Sequence, residues 1–172
     1  MPKIIENVRE QLLAEARRQI AERGYGSTTI RSVAGECGLA VGTVYNYFRS
    51  KEMLVAGFMA EDWQACLSEL HAMPDDATPE RRLFAVYSTL TRFIEQYKNL
   101  FADREAEKSF ALTSSAWHPR LREQLAAFIL PLCHGEDPVF CASFVAEALV
   151  CWRVAGKTFA ELSPLLLKLI KK

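Results

Sequence analysis

Glycines cut the first fifty residues of this chain into pieces too short to fold alone. Residues Thr28 to Glu52 read "TTIRSVAGECGLAVGTVYNYFRSKE". Upstream, Val8, Leu12, Ala16 and Ile20 recur every four residues, with Ile4, Ile5 and Leu13 beside them and charges on the other face, so a first amphipathic helix ends near Arg23. "GYG", Gly24 to Gly26, stops it, because glycine takes positive φ at a helix C-terminus at little cost. The hydroxyls of Ser27, Thr28 and Thr29 then offer caps for a short helix to about Glu36, with Ile30, Val33 and Ala34 inward. Gly38 breaks that helix and a third runs from about Ala40 to Phe48. Ser50 caps a fourth, with Glu52 in its first turn, where the positive end of the helix dipole favours a carboxylate. A glycine in a turn of about three or four residues between short helices is the helix–turn–helix arrangement, in which the second helix of the pair enters the major groove of DNA.

The third helix carries the chemistry. Its eight residues from Val41 span only ~12 Å. That is too short to be stable alone and long enough to cross a groove. Leu39, Val44 and Phe48 can face the other helices, which leaves Val41, Gly42, Thr43, Tyr45, Asn46 and Tyr47 largely outward. A solvated face carries Glu, Lys and Gln instead. Thr43 and the tyrosine hydroxyls can donate to phosphates or bases, Val41 can pack on a thymine methyl, and Asn46 can read base edges. Gly42 lets a partner's backbone come close; in mid-helix it costs about 1 kcal/mol relative to alanine, which calls for a steric reason. Lys51 adds a charge beside the free N–H groups that open the next helix, a natural phosphate site. Core aromatics at Tyr45 and Tyr47, an idle Asn46 and a solvated Arg49 are the plainer alternatives.

The stretch from Thr28 to Leu54 resembles the DNA-binding domain of the TetR family of bacterial transcriptional repressors, whose pattern reads roughly T-T-x-x-x-[IV]-A-x-x-[AC]-G-[VL]-[SA]-x-G-[TS]-[LV]-Y-x-[HY]-F-x-[ST]-K-[ED]-x-L. "LLAEARRQIAERGY" upstream is similar to the family's first helix and its closing glycine–aromatic pair. The likeness covers about residues 8–54. Carried over position by position, it implies DNA contact by Thr29 and Arg31, groove contact by Val41, Gly42 and Thr43, contact with phosphate or bases by Tyr45 and Tyr47, and phosphate binding by Lys51. Two positions depart from the pattern. Ala40 stands where many members have a capping serine, a loss of up to ~1 kcal/mol. Tyr47 stands where histidine is common and keeps a hydrogen-bonding tip.

Beyond the motif the chain reads as helices only. The fourth helix is expected to end near Ala72, before the linker-like "MPDDATPE", and Thr78-Pro79 restarts the next. Breaks are expected at Lys98-Asn99 and at "SSAWHPR", residues 114–120. Further helices are expected over about 100–113, 120–133, 139–155 and 159–171, about nine in all. The fold class is thus all-α: a helix–turn–helix domain over residues 1–52 and a helical effector-binding and dimerisation domain over 53–172. Trp63, Tyr87, Phe93, Tyr97, Phe110, Trp117 and His118 are candidates to line a pocket, although core packing is the plainer reading of any one of them. The helix "VFCASFVAEALVCWRVAG" is apolar over more than one face, and the leucine-rich last helix resembles it in this. Phe140, Phe144, Ala148, Cys151, Trp152, Leu166 and Ile170 are therefore expected to meet a two-fold copy, as the family's last two long helices do. A C-terminal hairpin packed wholly in its own monomer is the alternative.

Composition narrows the function. Half the residues are apolar and the net charge is zero. Residues 1–60 carry eight Lys and Arg against six Asp and Glu, and residues 61–172 carry thirteen against fifteen, so any DNA contact is a local patch and not a whole-protein field. No apolar run approaches a membrane span and no secretory signal is read at the N-terminus. Five scattered cysteines without a C-x-x-C pair read as reduced thiols in a cytoplasmic protein. Cys133, His134 and Cys141 have no recognised zinc spacing, and no nucleophile, metal-hydrolase or P-loop motif is present, so neither cofactor nor metal nor enzymatic activity is expected. The expected function is a homodimeric transcriptional regulator, a repressor by analogy, on a palindromic DNA operator and released by a small apolar or aromatic effector. The rival readings are a helix–turn–helix interaction module without an effector and a helical-bundle enzyme or carrier.

Overall fold

The structure, a computed structural model, describes residues 7–171, without the side chains of Glu107 and residues 110–117. Ile4 and Ile5 of the expected first helix lie outside the described residues. Among the described residues there are eight α-helices, one 3₁₀ turn and no strand. They run α1 Val8–Arg23, α2 Ile30–Glu36, α3 Val41–Tyr47, α4 Lys51–His71, α5 Pro79–Phe101, α6 Arg104–Ile129, the 3₁₀ turn Leu130–Leu132, α7 Pro138–Val154 and α8 Phe159–Ile170.

The local signals that start and stop these helices are those the sequence offers. Gly24 at φ 81° closes α1, its N–H donating to the Ile20 carbonyl at 3.0 Å. Gly38 at φ 64° makes the turn between α2 and α3. Asp137 accepts from the Phe140 N–H at 2.9 Å and Pro138 follows at the first helical position of α7. Thr158 and Glu161 cap α8 reciprocally, the threonine hydroxyl taking the Glu161 N–H and the carboxylate taking the Thr158 N–H.

Two expected breaks are absent. α5 continues through Lys98 and Asn99 to Phe101, because neither residue costs more than a few tenths of a kcal/mol in a long hydrogen-bonded ladder. α6 continues through 114–120 with Pro119 inside it. A proline deletes one ladder hydrogen bond and crowds one carbonyl, and helix on both sides bridges the gap. The true boundary falls at Asp103, whose carboxylate accepts from the Glu105 and Ala106 N–H groups at 2.9 and 3.0 Å and so caps α6.

The chain divides into two compact units. The first runs from α1 to Trp63 and includes Lys98–Thr113. It therefore extends past the boundary expected at residue 52 and takes in a later segment. Its core is Leu12, Leu13 and Ala16 of α1, Val33 and Ala34 of α2, Val44 and Phe48 around α3, and Leu54, Val55 and Phe58 of α4. Gln19 is fully buried but satisfied: its amide donates to Glu15 at 2.8 Å and its carbonyl accepts the Ser32 hydroxyl at 2.6 Å. Through Ser32, which takes the Thr29 N–H, this bond ties α1 to the cap of α2.

The second unit comprises Gln64–Tyr97 and Ser114–Lys172. Leu83, Val86 and Leu90 of α5, Leu125 and Ile129 of α6, Val145, Ala146 and Leu149 of α7, and Leu162, Leu166 and Ile170 of α8 form its core. Arg153 is held between Thr91, at 2.7 Å, and Glu95, at 3.7 Å. The opposite face of α7 is mostly apolar, with the exposed Glu147 on it paired to Arg122 at 3.3 Å. Phe140, Phe144 and Trp152 are 67, 51 and 50% exposed, with Cys151 exposed and Ala148 half-buried among them. On α8 the outward residues are Leu165 and Leu169, whereas Leu166 and Ile170 are buried in their own unit. The surface stripe of α8 is thus displaced by one position from the expected one, because Leu162, Leu166 and Ile170 at spacing four already fill the inner side. No helix among the described residues is long and apolar enough to cross a membrane.

Candidate nucleic-acid interface

Three helix beginnings of the first unit meet at an open groove of about 480 Å³ lined by Thr28 to Arg31, Val41, Tyr45 and Arg49 to Glu52. α2 contributes its N-terminus. Thr29 is its cap and is exposed; its hydroxyl takes the Ser32 N–H at 3.0 Å, while the N–H groups of Ile30 and Arg31 open the helix. α4 contributes another N-terminus, where Ser50 takes the Met53 N–H at 3.2 Å. Unpaired N–H groups at a helix start favour anions such as phosphate.

α3 lies between them. Val44 and Phe48 are buried; Gly42, Tyr45, Asn46 and Tyr47 are exposed, and Val41 and Thr43 are half-buried. Tyr45 and Tyr47 leave 50 and 47% of their surface to solvent, so neither is a core aromatic. Ala40 gives α3 no side-chain cap; only its backbone carbonyl meets the Thr43 N–H, at 2.9 Å. Gly42 has negative φ, and a Cβ built there meets no atom within 4 Å. Nothing in the protein requires glycine at this position.

Lys51 is engaged within the protein. Its ammonium donates to the Tyr25 carbonyl at 3.0 Å and sits 3.7 Å from the Tyr25 ring centroid. The Tyr25 hydroxyl in turn donates to Glu52 at 2.8 Å. Tyr25 is 1% exposed, and burial drives its hydroxyl well above the ordinary phenol range, against a hydrogen bond from Ser109 and with Glu52 adding to the rise. Burial opposes the charged form of Glu52, but hydrogen bonds from Ser50, its own N–H and Tyr25 outweigh it and hold the carboxyl below its usual value. The pair Lys51-Glu52 therefore clasps the loop after α1 to the start of α4. Tyr25 and Glu52 are not among the expected site residues; the sequence marks Tyr25 through the glycine–aromatic pair that closes the first helix and Glu52 through its place in the first turn of the fourth.

The candidate pocket residues belong to both units. Trp63 is buried in the first unit. Phe93 and Tyr97 are buried in the second, with ring centroids 4.9 Å apart. Tyr87 lies beside Phe159 and donates to the Lys157 carbonyl at 2.9 Å. His118 is exposed. The side chains of Phe110 and Trp117 lie outside the described residues.

Comparison with known proteins gives this groove its context. The family model for bacterial regulatory proteins of the tetR family matches residues 12–57. The transcriptional repressor KstR2 of Mycolicibacterium smegmatis is 37% identical over 57 residues, 32% of this chain and 28% of that protein. The transcriptional regulator UidR of Escherichia coli K12 is 30% identical over 60 residues, 35% of this chain and 31% of that one. The chain thus matches about a quarter to a third of the length of these relatives. Among solved structures, a TetR-family transcriptional regulator from Pectobacterium atrosepticum superposes with a TM-score of 0.67 at 23% identity, covering 95% of this chain and 94% of that one. Salmonella enterica GusR superposes with 0.65 at 18% identity over 99 and 100%. At these identities the structures speak for the fold, and they do so over nearly the whole chain.

The clasp predicts a pH signature. A carboxyl whose folded value is depressed contributes stability above its unfolded value of about 4.3, and the contribution is lost as pH falls through the folded value. Glu52→Gln should be less stable than the parent at pH 7, and the difference should shrink at a pH below the usual carboxylate range. Urea unfolding at both pH values measures it; a difference independent of pH contradicts the role of the Glu52 charge.

Proposed function

We propose that this chain, whose residues 12–57 match the family model for bacterial regulatory proteins of the tetR family, is a DNA-binding transcriptional regulator that reads a palindromic operator as a homodimer. The observation that carries the reading is the outward face of α3. A helix of seven residues leaves Gly42, Tyr45, Asn46 and Tyr47 to the outside, between two helix N-termini, with no Glu or Lys on it. In this arrangement Thr29, Arg31, Tyr45, Tyr47 and the N-termini of α2 and α4 hold phosphates, and Val41, Gly42, Thr43 and Asn46 lie against base edges. Lys51 joins the phosphate set through the ammonium protons that Tyr25 leaves unused. Repression is supported by the function named for KstR2.

The dimer reading rests on the apolar stripe of α7 and α8. Val139, Phe140 and Leu165 are each more than 60% exposed, and Phe144, Trp152 and Leu169 continue the stripe. Exposed apolar stripes of this kind mark protein–protein surfaces, and a second copy of the chain would cover this one about a two-fold axis. The second unit, where Phe93, Tyr97 and Phe128 are buried, is where a small apolar effector would bind to alter the spacing of the two recognition helices. In this reading residues 1–52 carry the DNA contacts and 53–172 the effector and dimer functions.

Gly42→Ala separates binding from folding. Alanine fits the open space and is the better helix former by about 1 kcal/mol, so thermal stability should rise. Affinity for the operator should fall at least tenfold, because the added methyl stands where DNA approaches. Unchanged affinity in the stabilised variant removes Gly42 from the interface. Native mass spectrometry tests the other half. The parent should appear as a dimer, with a small-molecule increment when effector is retained, and Ala148→Glu should appear as a monomer. A dimer in that variant places the interface elsewhere.

A further inference from the structure

We infer that the base pairs facing α3 in the operator half-site are A·T pairs, recognised through thymine methyl groups and adenine, and that guanine recognition is confined to the edges of the half-site. The inference rests on the reading of the groove as a DNA site and names the sequence class that it takes.

The argument is one of available chemistry. In the major groove guanine is read by Arg or Lys donating to O6 and N7, and cytosine by Asp or Glu accepting from N4. From Ala40 to Phe48 the chain has none of these four residues. What α3 offers is apolar, amide and hydroxyl chemistry, and the single hydroxyls of Thr43, Tyr45 and Tyr47 lack the paired donors with which Arg or Lys takes guanine O6 and N7. The exposed methyl of Ala40, the half-exposed methyls of Val41 and the γ-methyl of Thr43 stand at its N-terminal end, the end that meets base edges in this kind of motif. Asn46, exposed and one turn further on, can pair with adenine N6 and N7. Gly42 lies between Val41 and Thr43, and the space beside its Cα is empty. A thymine C5 methyl, the one apolar knob in the groove, fits against such a gap.

The cations of the groove are all off α3. Arg31 belongs to α2, and Arg49 and Lys51 belong to the start of α4. Lys51 is anchored on the Tyr25 carbonyl and ring at the start of α4, where its remaining protons serve phosphate in the reading above. Arg31 and Arg49 flank the recognition helix, so any guanine they reach lies to either side of the pairs under it. Glu52, the acid of the groove, is occupied by the Tyr25 hydroxyl and is not placed to read cytosine.

The test uses the full chain. Selection from a random duplex library defines the preferred half-site. Each of its thymines is then replaced in turn by deoxyuridine, which deletes the C5 methyl and nothing else, and affinity is measured at fixed salt. A·T pairs should occupy the middle of the half-site, and deoxyuridine at one or more of them should weaken binding about fourfold, the worth of one buried methyl group. Val41→Ala should abolish the penalty at one such thymine while leaving the others. Fixed G·C pairs in the middle of the half-site overturn the inference, as does indifference to every deoxyuridine. Enrichment of no sequence at all fails differently: it removes the DNA reading itself, and this inference with it.

Discussion

A helix of seven residues has no stability of its own in water, so the direction in which α3 faces is decided by what it buries. Two side chains do this. Val44 is fully buried and Phe48, its C-cap, is 5% exposed. Phe48 is seated over Gly57 of α4: a Cβ at Gly57 would stand 3.1 Å from the Phe48 ring and 3.0 Å from Leu13 of α1. Arg9 closes over the same ring at 5.8 Å. The contact fixes the roll of α3 about its axis, and the roll determines that Gly42, Tyr45 and Asn46 point outward. The Tyr25–Lys51–Glu52 clasp fixes the other variable, the placement of the loop before α2 against the start of α4. With those two settled, three helix beginnings share one groove.

The first fifty residues were legible because their structure is locally specified. Gly24 and Gly38 sit at positive φ, and Thr29 and Ser50 cap with their own hydroxyls; each of these acts within four residues of itself. The long helices were less legible for the opposite reason. Pro119 and Lys98-Asn99 look like breaks in a window of ten residues and are not breaks in helices of 26 and 23, where the rest of the ladder bridges the defect. The outer stripe of α8 was misplaced by one residue because Leu165, Leu166, Leu169 and Ile170 are all apolar, and periodicity alone does not say which pair faces the monomer. The clasp was hidden because Tyr25 and Lys51 are 26 residues apart. Only the motif's phosphate role for Lys51 was visible in the sequence, not its bonds to the Tyr25 carbonyl and ring.

A net charge of zero is compatible with a DNA-binding surface built this way. The groove depends on helix N-termini, hydroxyl groups and two arginines more than on a basic field, and such contacts act at short range. If the groove holds DNA as proposed, long-range attraction to arbitrary DNA is weak and discrimination falls to fit at the base edges. On the proposed reading α3 suits recognition by fit, with small, apolar, amide and tyrosine groups where a charged helix would carry Lys and Glu.

Amide hydrogen exchange of the full chain, free and bound to a duplex selected by it, tests most directly whether this groove is the DNA surface. The account predicts slowed exchange in residues 28–31, 41–47 and 49–52 on binding, with Tyr25 and its neighbours unchanged because they are already held. Protection confined to α5 through α8, with α3 exchanging as in the free chain, would contradict it.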